Sequence, residues 1–138
     1  MRRVEVVAAI IEKDNKVFCA QRNLSKSMGG KWEFPGGKIE VGETREEALI
    51  REIKEELDSD IVVNKYLMTV EHDYPTFHIT MLAYLCTLVK GKLILKEHND
   101  SVWLSKGNLL SLDWADADKP IVNKIVKSKN KYGFTMFY

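Results

Sequence analysis

Three glutamates, Glu52, Glu55 and Glu56, stand together in the stretch from Gly37 to Ser59, GKIEVGETREEALIREIKEELDS. On a helix, Glu52 pairs with Glu55 at i, i+3 and with Glu56 at i, i+4. Each like-charge pair costs roughly 0.2–0.5 kcal/mol on an isolated helix. Two arrangements tolerate that cost. One is a solvated acidic face relieved by Arg51 and Lys54. The other is a divalent-cation site, because hard cations such as Mg²⁺ take oxygen ligands and turn the repulsion into attraction.

The elements that must position these carboxylates are legible around them. Thr44 and Glu47 fit a capping box, which starts the helix. Ala48, Leu49, Ile50, Ile53 and Leu57 gather on one side at 100° per residue and form a core face, opposite the glutamates. Upstream, Trp32-Glu33-Phe34 is a short apolar-aromatic strand, followed by a turn at Pro35-Gly36-Gly37. Gly36 and Gly37 let the backbone approach a ligand closely.

The full spacing is Gly37, five residues, Glu43, seven residues, Arg51-Glu52-Ile53, one residue, Glu55-Glu56. Leaving the apolar Ile53 aside, six fixed matches arise by chance on the order of 10⁻⁷ per starting point at average residue usage. This spacing resembles the Nudix box of the MutT-like hydrolases. The box usually closes with Gly and an apolar residue. Here Asp58 and Ser59 stand there, a variant C-cap in which Asp adopts the left-handed conformation and Ile61 supplies the apolar contact.

The resemblance covers nearly the whole chain. The EVVAAII strand, the AQR strand end, WEFPGGKIE, the WLS strand and the A-D-x-P segment look like the bacterial MutT and CTP pyrophosphohydrolase branch. It implies an α/β fold, a Nudix-type α/β/α sandwich around a mixed sheet. It also implies Mg²⁺, or Mn²⁺ in its place, held by Glu52, Glu56 and the Gly36 carbonyl, with Glu55 sharing a second ion. Glu97, in the loop before the Trp103 strand, matches an acidic residue that reaches the metal. Arg51 orients carboxylates, Glu43 or Glu47 among them, and Glu52 and Glu97 are both candidates for the general base. On the substrate side the resemblance points to Arg22, Gly37 and Lys38 near the phosphates. Phe34 and Tyr74 are candidate apolar walls for the base, and Asp118 stands at the base pocket.

Composition sets the outer bounds. At 138 residues, 45% apolar and 30% charged, the chain is expected to be one globular domain, 1–138, with a tail from about residue 129 that frays, docks on the core or sits in a dimer contact. A net charge of +1 gives no case for a nucleic-acid polymer or a membrane as partner. No apolar run approaches the ~18 residues of a membrane span. Cys19 and Cys86 lie in apolar runs and suit buried thiols of a reducing compartment, so a cytoplasmic location and a monomer or homodimer are expected.

Along the chain, Val4–Ile11 and Val17–Arg22 form a hairpin, followed by a loop over residues 23–31. After the helix, Ile61–Val63 and Tyr66–Val70 are strands, and Glu71–Pro75 is a turn-rich break. Phe77–Val89 is a central strand, Leu93–Leu95 a short one, and Ser101–Leu104 another. Leu109–Leu112 leads to a helix from Pro120 to about Lys129 with Ile121, Ile125 and Val126 facing in. His72 and His78 have no Cys or His at ligand spacing and are expected to be ordinary histidines.

The reaction implied is hydrolysis of a nucleoside triphosphate to a monophosphate and pyrophosphate. The sequence leaves two others open, hydrolysis of ADP-ribose or another nucleoside-diphosphate compound, and a catalytically silent nucleotide-binding module. Asp118 offers two readings. An ionised carboxylate at the base pocket accepts from cytosine or guanine, plain or oxidised; alternatively, Asp118 caps the helix near Pro120.

Overall fold

The computed structural model describes residues 2–128. The strands are β1 (Arg2–Lys13), β2 (Lys16–Gln21), β3 (Trp32–Glu33), β4 (Gly36–Lys38), β5 (Asp60–Tyr74), β6 (Phe77–Lys90) and β7 (Asp100–Ser105). The α-helices are α1 (Arg45–Leu57) and α2 (Lys119–Lys127), with 3₁₀ turns at Lys106–Ser111 and Asp116–Asp118.

The strands form a mixed sheet of order β3-β2-β1-β6-β5, with β4 added to β1 and β7 to β2. Phe77–Lys90 is central, running parallel to β1 from Arg2↔Phe77 to Glu12↔Thr87. Side chains alternate across the sheet, as the two-residue strand period requires. From β1, Ala8 and Ile10 pack on one face with Ile121, Val122 and Ile125 of α2. Val7, Ala9 and Ile11 pack on the other with Ala48, Leu49, Ile53 and Leu57 of α1. Each helix therefore buries its apolar stripe against one side of the same sheet, which makes the α/β/α sandwich.

α1 starts as its sequence dictates. Thr44 accepts from the Glu47 N–H, and the Glu47 carboxylate accepts from the Thr44 N–H. Glu47 is thus occupied by the cap, and Arg51 takes Glu43 instead. Ile50 does not join the core; it is 41% exposed, one step beyond the buried stripe. Asp58 ends the helix in the left-handed region at φ 48°, its N–H donating to the Lys54 carbonyl. Ser59 is buried, donating its hydroxyl to the Leu57 carbonyl and accepting from the Leu93 N–H.

Several local expectations are corrected. Gly36 and Gly37 lie in strand β4, antiparallel to β1 at Ala8↔Gly36 and Val7↔Gly37, rather than in a turn. A Cβ on Gly36 would collide with the Val7 carbonyl, so this pairing needs glycine. The chain from Asp60 to Tyr74 is one bulged strand, and only Pro75 and Thr76 turn. Cross-strand pairing with β6 overrides the turn-prone residues 71–74. Leu93–Leu95 is not a strand. Leu93 takes a positive φ of 53°, and the Ile94 and Lys96 N–H groups donate to the carbonyls of Leu57 and Glu56. Leu109–Ser111 is part of a 3₁₀ turn, and Val126 is only partly buried. The expectation for the tail from residue 129 lies outside the described residues. Among the described residues no helix is long and apolar enough to cross a membrane.

Ser59→Ala removes one bond and strands the buried Leu93 N–H. It is expected to cost about 1–3 kcal/mol, read as a lower urea midpoint at unchanged slope. An unchanged midpoint rejects that role for the hydroxyl.

Candidate active site

Arg51 organises the carboxylates of α1. Its Nε and Nη2 hold both oxygens of Glu43 at 2.6 and 2.9 Å, and Nη1 reaches Glu52 at 2.9 Å and Glu55 at 3.2 Å. Nη2 also donates to the Lys38 carbonyl at 3.0 Å, tying α1 to β4. This fork offsets the repulsion that the sequence builds in. Glu52 and Glu55 end up in different environments, their side chains 15% and 60% exposed. Gly37 makes room for Glu52, because a Cβ there would collide with that carboxylate.

Glu56 lacks such relief. Its Oε2 is buried with no hydrogen-bond partner among the described residues. Its carboxyl is pushed up to about 9, first by burial, then by the charges of Glu52, Glu97 and Glu33, while a backbone hydrogen bond from Gly36 pulls the other way. Glu52 is also raised, by burial first, against the pull of Arg51.

Two adjoining cavities hold most of the expected site residues. A smaller one of about 170 Å³ has Glu56, Glu97, Gly36, Gly37, Phe34 and Arg22 in its wall. A larger one of about 400 Å³ has Lys38, Tyr74, Asp118 and again Arg22. Val6, Glu33, Ile79 and Met81 also line both, so the two form one cleft. Glu52 and Glu55 line neither cavity, and the Phe34 ring is buried and stacks on Trp114 at 4.7 Å between ring centres. Tyr74 is fixed by accepting from the Ala117 N–H at 3.0 Å.

Asp118 does not cap α2 with its side chain. It is 2% exposed, and its Oδ1 accepts from the Phe34 N–H at 3.0 Å, across 84 residues of sequence. Burial holds its carboxyl well above the ordinary Asp range. Desolvation therefore works toward the neutral acid at Asp118, which donates as well as accepts, and against the ionised, accept-only form.

Sequence reasoning missed Glu33, His98, Asn23 and Lys26, all in the wall of the smaller cavity. Glu33 accepts from Arg22 Nη1 at 2.9 Å and from His98 Nε2 at 3.0 Å. The adjacency of His98 to Glu97 was the one available signal. His78 is held between Asp73 and Glu71, and His72 packs edge-on against Tyr74.

A family model described as NUDIX domain matches residues 6–124. The chain belongs to the Nudix family. Within that family it is 45% identical over 112 residues to an 8-oxo-dGTP diphosphatase of Proteus vulgaris, covering 80% of this chain and 96% of that one. It is 38% identical over 122 residues to the CTP pyrophosphohydrolase of Escherichia coli (strain K12), covering 88% and 90%. The solution structure of a MutT protein (family Nudix hydrolase) from methicillin-resistant Staphylococcus aureus 252 superposes with a TM-score of 0.75 at 47% identity, covering 92% and 98%. The chain is thus a MutT-like Nudix hydrolase, and hydrolases of this family use a divalent metal.

Among the described residues no three His, Cys, Asp or Glu groups are already gathered as an ion cage. The donor chemistry nevertheless fits a hard cation. Glu56 presents a buried oxygen without a partner, beside the carboxylates of Glu52 and Glu97 that raise its pKa.

The raised Glu56 carboxyl has a consequence for the metal-free protein. Its value is about 9 in the fold against the ordinary 4.5 of a glutamate, so the native state binds more protons between those limits. Stability is therefore lost as pH rises through that window. Glu56→Gln removes the contribution: the variant is expected to gain on wild type at pH 8 relative to pH 4 in chelator-treated urea titrations. Identical pH slopes would reject the buried-carboxyl reading.

Proposed function

We propose that the chain is a Mg²⁺-dependent pyrophosphohydrolase, with Mn²⁺ as an alternative cation, acting on a cytosine or guanine nucleoside triphosphate in the cytoplasm. Oxidised and otherwise modified bases are included, in a nucleotide-cleansing role. The observation that carries this reading is the cleft itself: an acidic end at Glu56 and Glu97, a roomier end at Tyr74 and Asp118, and Arg22 on the wall of both. A polyphosphate fits the first and a nucleoside the second. The names of the Proteus and Escherichia relatives support the same class.

In this reading Glu52, Glu56, Glu97 and the Gly36 backbone hold the cation, with Glu55 at the exposed margin. When bound, the cation offsets phosphate charge and lowers the pKa of water. Arg22 and Lys38 meet the remaining phosphate charge. Arg51 fixes Glu52 through Nη1, and Glu52 or Glu97 accepts the proton of the attacking water. Cleavage between the α- and β-phosphates leaves a nucleoside monophosphate and pyrophosphate.

Glu56→Gln is expected to lower kcat by orders of magnitude while the far-UV spectrum stays that of wild type. Near-full turnover in saturating Mg²⁺ rejects the assignment, as does orthophosphate as the only inorganic product.

Base choice is assigned to Asp118. The carboxyl accepts from the amino groups of cytosine or guanine, and in its neutral form it also donates to a ring nitrogen or carbonyl. Asp118→Asn keeps the size and the acceptor for Phe34 N–H. It is expected to change the kcat/KM ranking of CTP, dCTP, 5-methyl-dCTP, 8-oxo-dGTP and UTP by about 1–3 kcal/mol if one paired edge is altered. A variant with altered stability and an unaltered ranking assigns Asp118 to the scaffold alone.

A further inference from the structure

The loop that carries Glu97 is pinned on both sides. Before it, the Lys96 N–H donates to the Glu56 carbonyl at 3.2 Å; after it, the Asn99 N–H donates to the Gln21 carbonyl at 2.9 Å. Between these anchors the side chain of His98 turns inward, 5% exposed, and its Nε2 donates to Glu33 Oε2 at 3.0 Å. The other oxygen of Glu33 takes Arg22 Nη1 at 2.9 Å, and Arg22 Nε donates to the Ser27 carbonyl at 2.9 Å. One carboxylate thus joins an arginine of the β2 end to a histidine of the β7 approach, 65 residues from Glu33. All three side chains line the cavity that Glu56 and Glu97 line.

This arrangement is not tuned for stability. With Nε2 bound to Glu33, the His98 Nδ1 is buried and has no partner among the described residues. An unsatisfied buried polar atom costs free energy, and an apolar side chain of similar size would avoid it. The Glu33 carboxyl is held below its ordinary value: burial works upward on it, and the bonds and charges of His98 and Arg22 more than offset that. A charged, fully engaged carboxylate at the junction holds both partners in one geometry.

We propose that Glu33 and His98 form a brace that positions the two ends of the polyphosphate site together, Arg22 at one end and the Glu97 loop at the other. Both are positioning residues, acting through Arg22 and Glu97. The brace rests on the metal-dependent reading given under Proposed function, in which Glu97 faces the cation. The same logic governs groups that orient metal ligands, whose loss costs about 10–100-fold in metal affinity or activity.

The test uses the full chain and Mn²⁺ as probe, with free Mn²⁺ followed by electron paramagnetic resonance. His98→Leu is expected to weaken Mn²⁺ binding by about 10-fold or more while keeping or raising the melting temperature. Glu33→Gln is expected to weaken Mn²⁺ binding and also to raise KM for the triphosphate, because Arg22 loses its anchor. In the His98→Leu, Arg22→Ala double variant the losses are expected to be less than additive, since either change already releases the brace. Wild type binding Mn²⁺, with His98→Leu and Glu33→Gln matching its affinity and KM and differing only in melting temperature, overturns the brace alone. Wild type binding no Mn²⁺ overturns the metal reading and the brace with it.

Discussion

A buried carboxyl beside two others is the constraint on which the rest of this chain depends. Glu56 sits on α1 with Glu52 one turn behind it and Glu97 brought in from a distant loop, and burial together with those two charges raises the cost of ionising it. A fold tolerates such a cluster only if its surroundings are fixed by other means. Here Arg51 neutralises the outer part of the cluster, taking Glu43 with two bonds and Glu52 and Glu55 with a third nitrogen. The capping box fixes where α1 begins, and the Asp58–Ser59 cap fixes where it ends. With both ends set, Glu56 cannot rotate away from the cavity without unburying Leu49, Ile53 and Leu57.

The parts legible in sequence are those governed by local periods and short spacings. The cap at Thr44, the apolar stripe of α1, the left-handed Asp58 and the sandwich itself all follow from neighbours a few residues apart or from strand alternation. Ile50 shows the limit of that reasoning, since an apolar residue one step beyond the buried stripe stays exposed. Residues 71–74 show another limit, because turn-prone types extend a strand when a partner such as β6 pairs with them in continuous register.

The parts that were not legible are those made by contacts far apart in sequence. Nothing in the local pattern of Glu33 says that it will meet His98, or that the Asp118 carboxyl will accept from Phe34. Asp ahead of a Pro-started helix is a strong capping signal, and here it is outcompeted. The Phe34 N–H needs an acceptor at a point where the chain steps from β3 to β4, and the Asp118 carboxyl provides one. In consequence Asp118 is buried and shifted toward its neutral form, the property that local reasoning had assigned the opposite way.

The place of the cleft follows from how the sheet divides. Strand β1 pairs with β2 only near its end, at Glu12↔Val17 and Lys13↔Lys16, and with β4 nearer its start, from Val6↔Lys38 to Ala8↔Gly36. Between those two partners the edge of β1 is bridged by a single bond, Ala9 N–H to the Pro35 carbonyl at 2.8 Å. β2 pairs instead with β3 and β7, and Arg22, Glu33 and His98 line a cavity together with Val6, Val7 and Ala8 of β1. A gap in a sheet exposes backbone polar groups and must be lined by side chains that satisfy them or by bound ligand. Gly36 closes one side by lying flush against Val7, and Gly37 leaves the volume that Glu52 occupies. The two glycines that mark this site in the sequence are thus needed for packing as much as for any ligand. The β1 pairing that requires Gly36 also sets its backbone against the Glu56 carboxyl, to which it hydrogen-bonds.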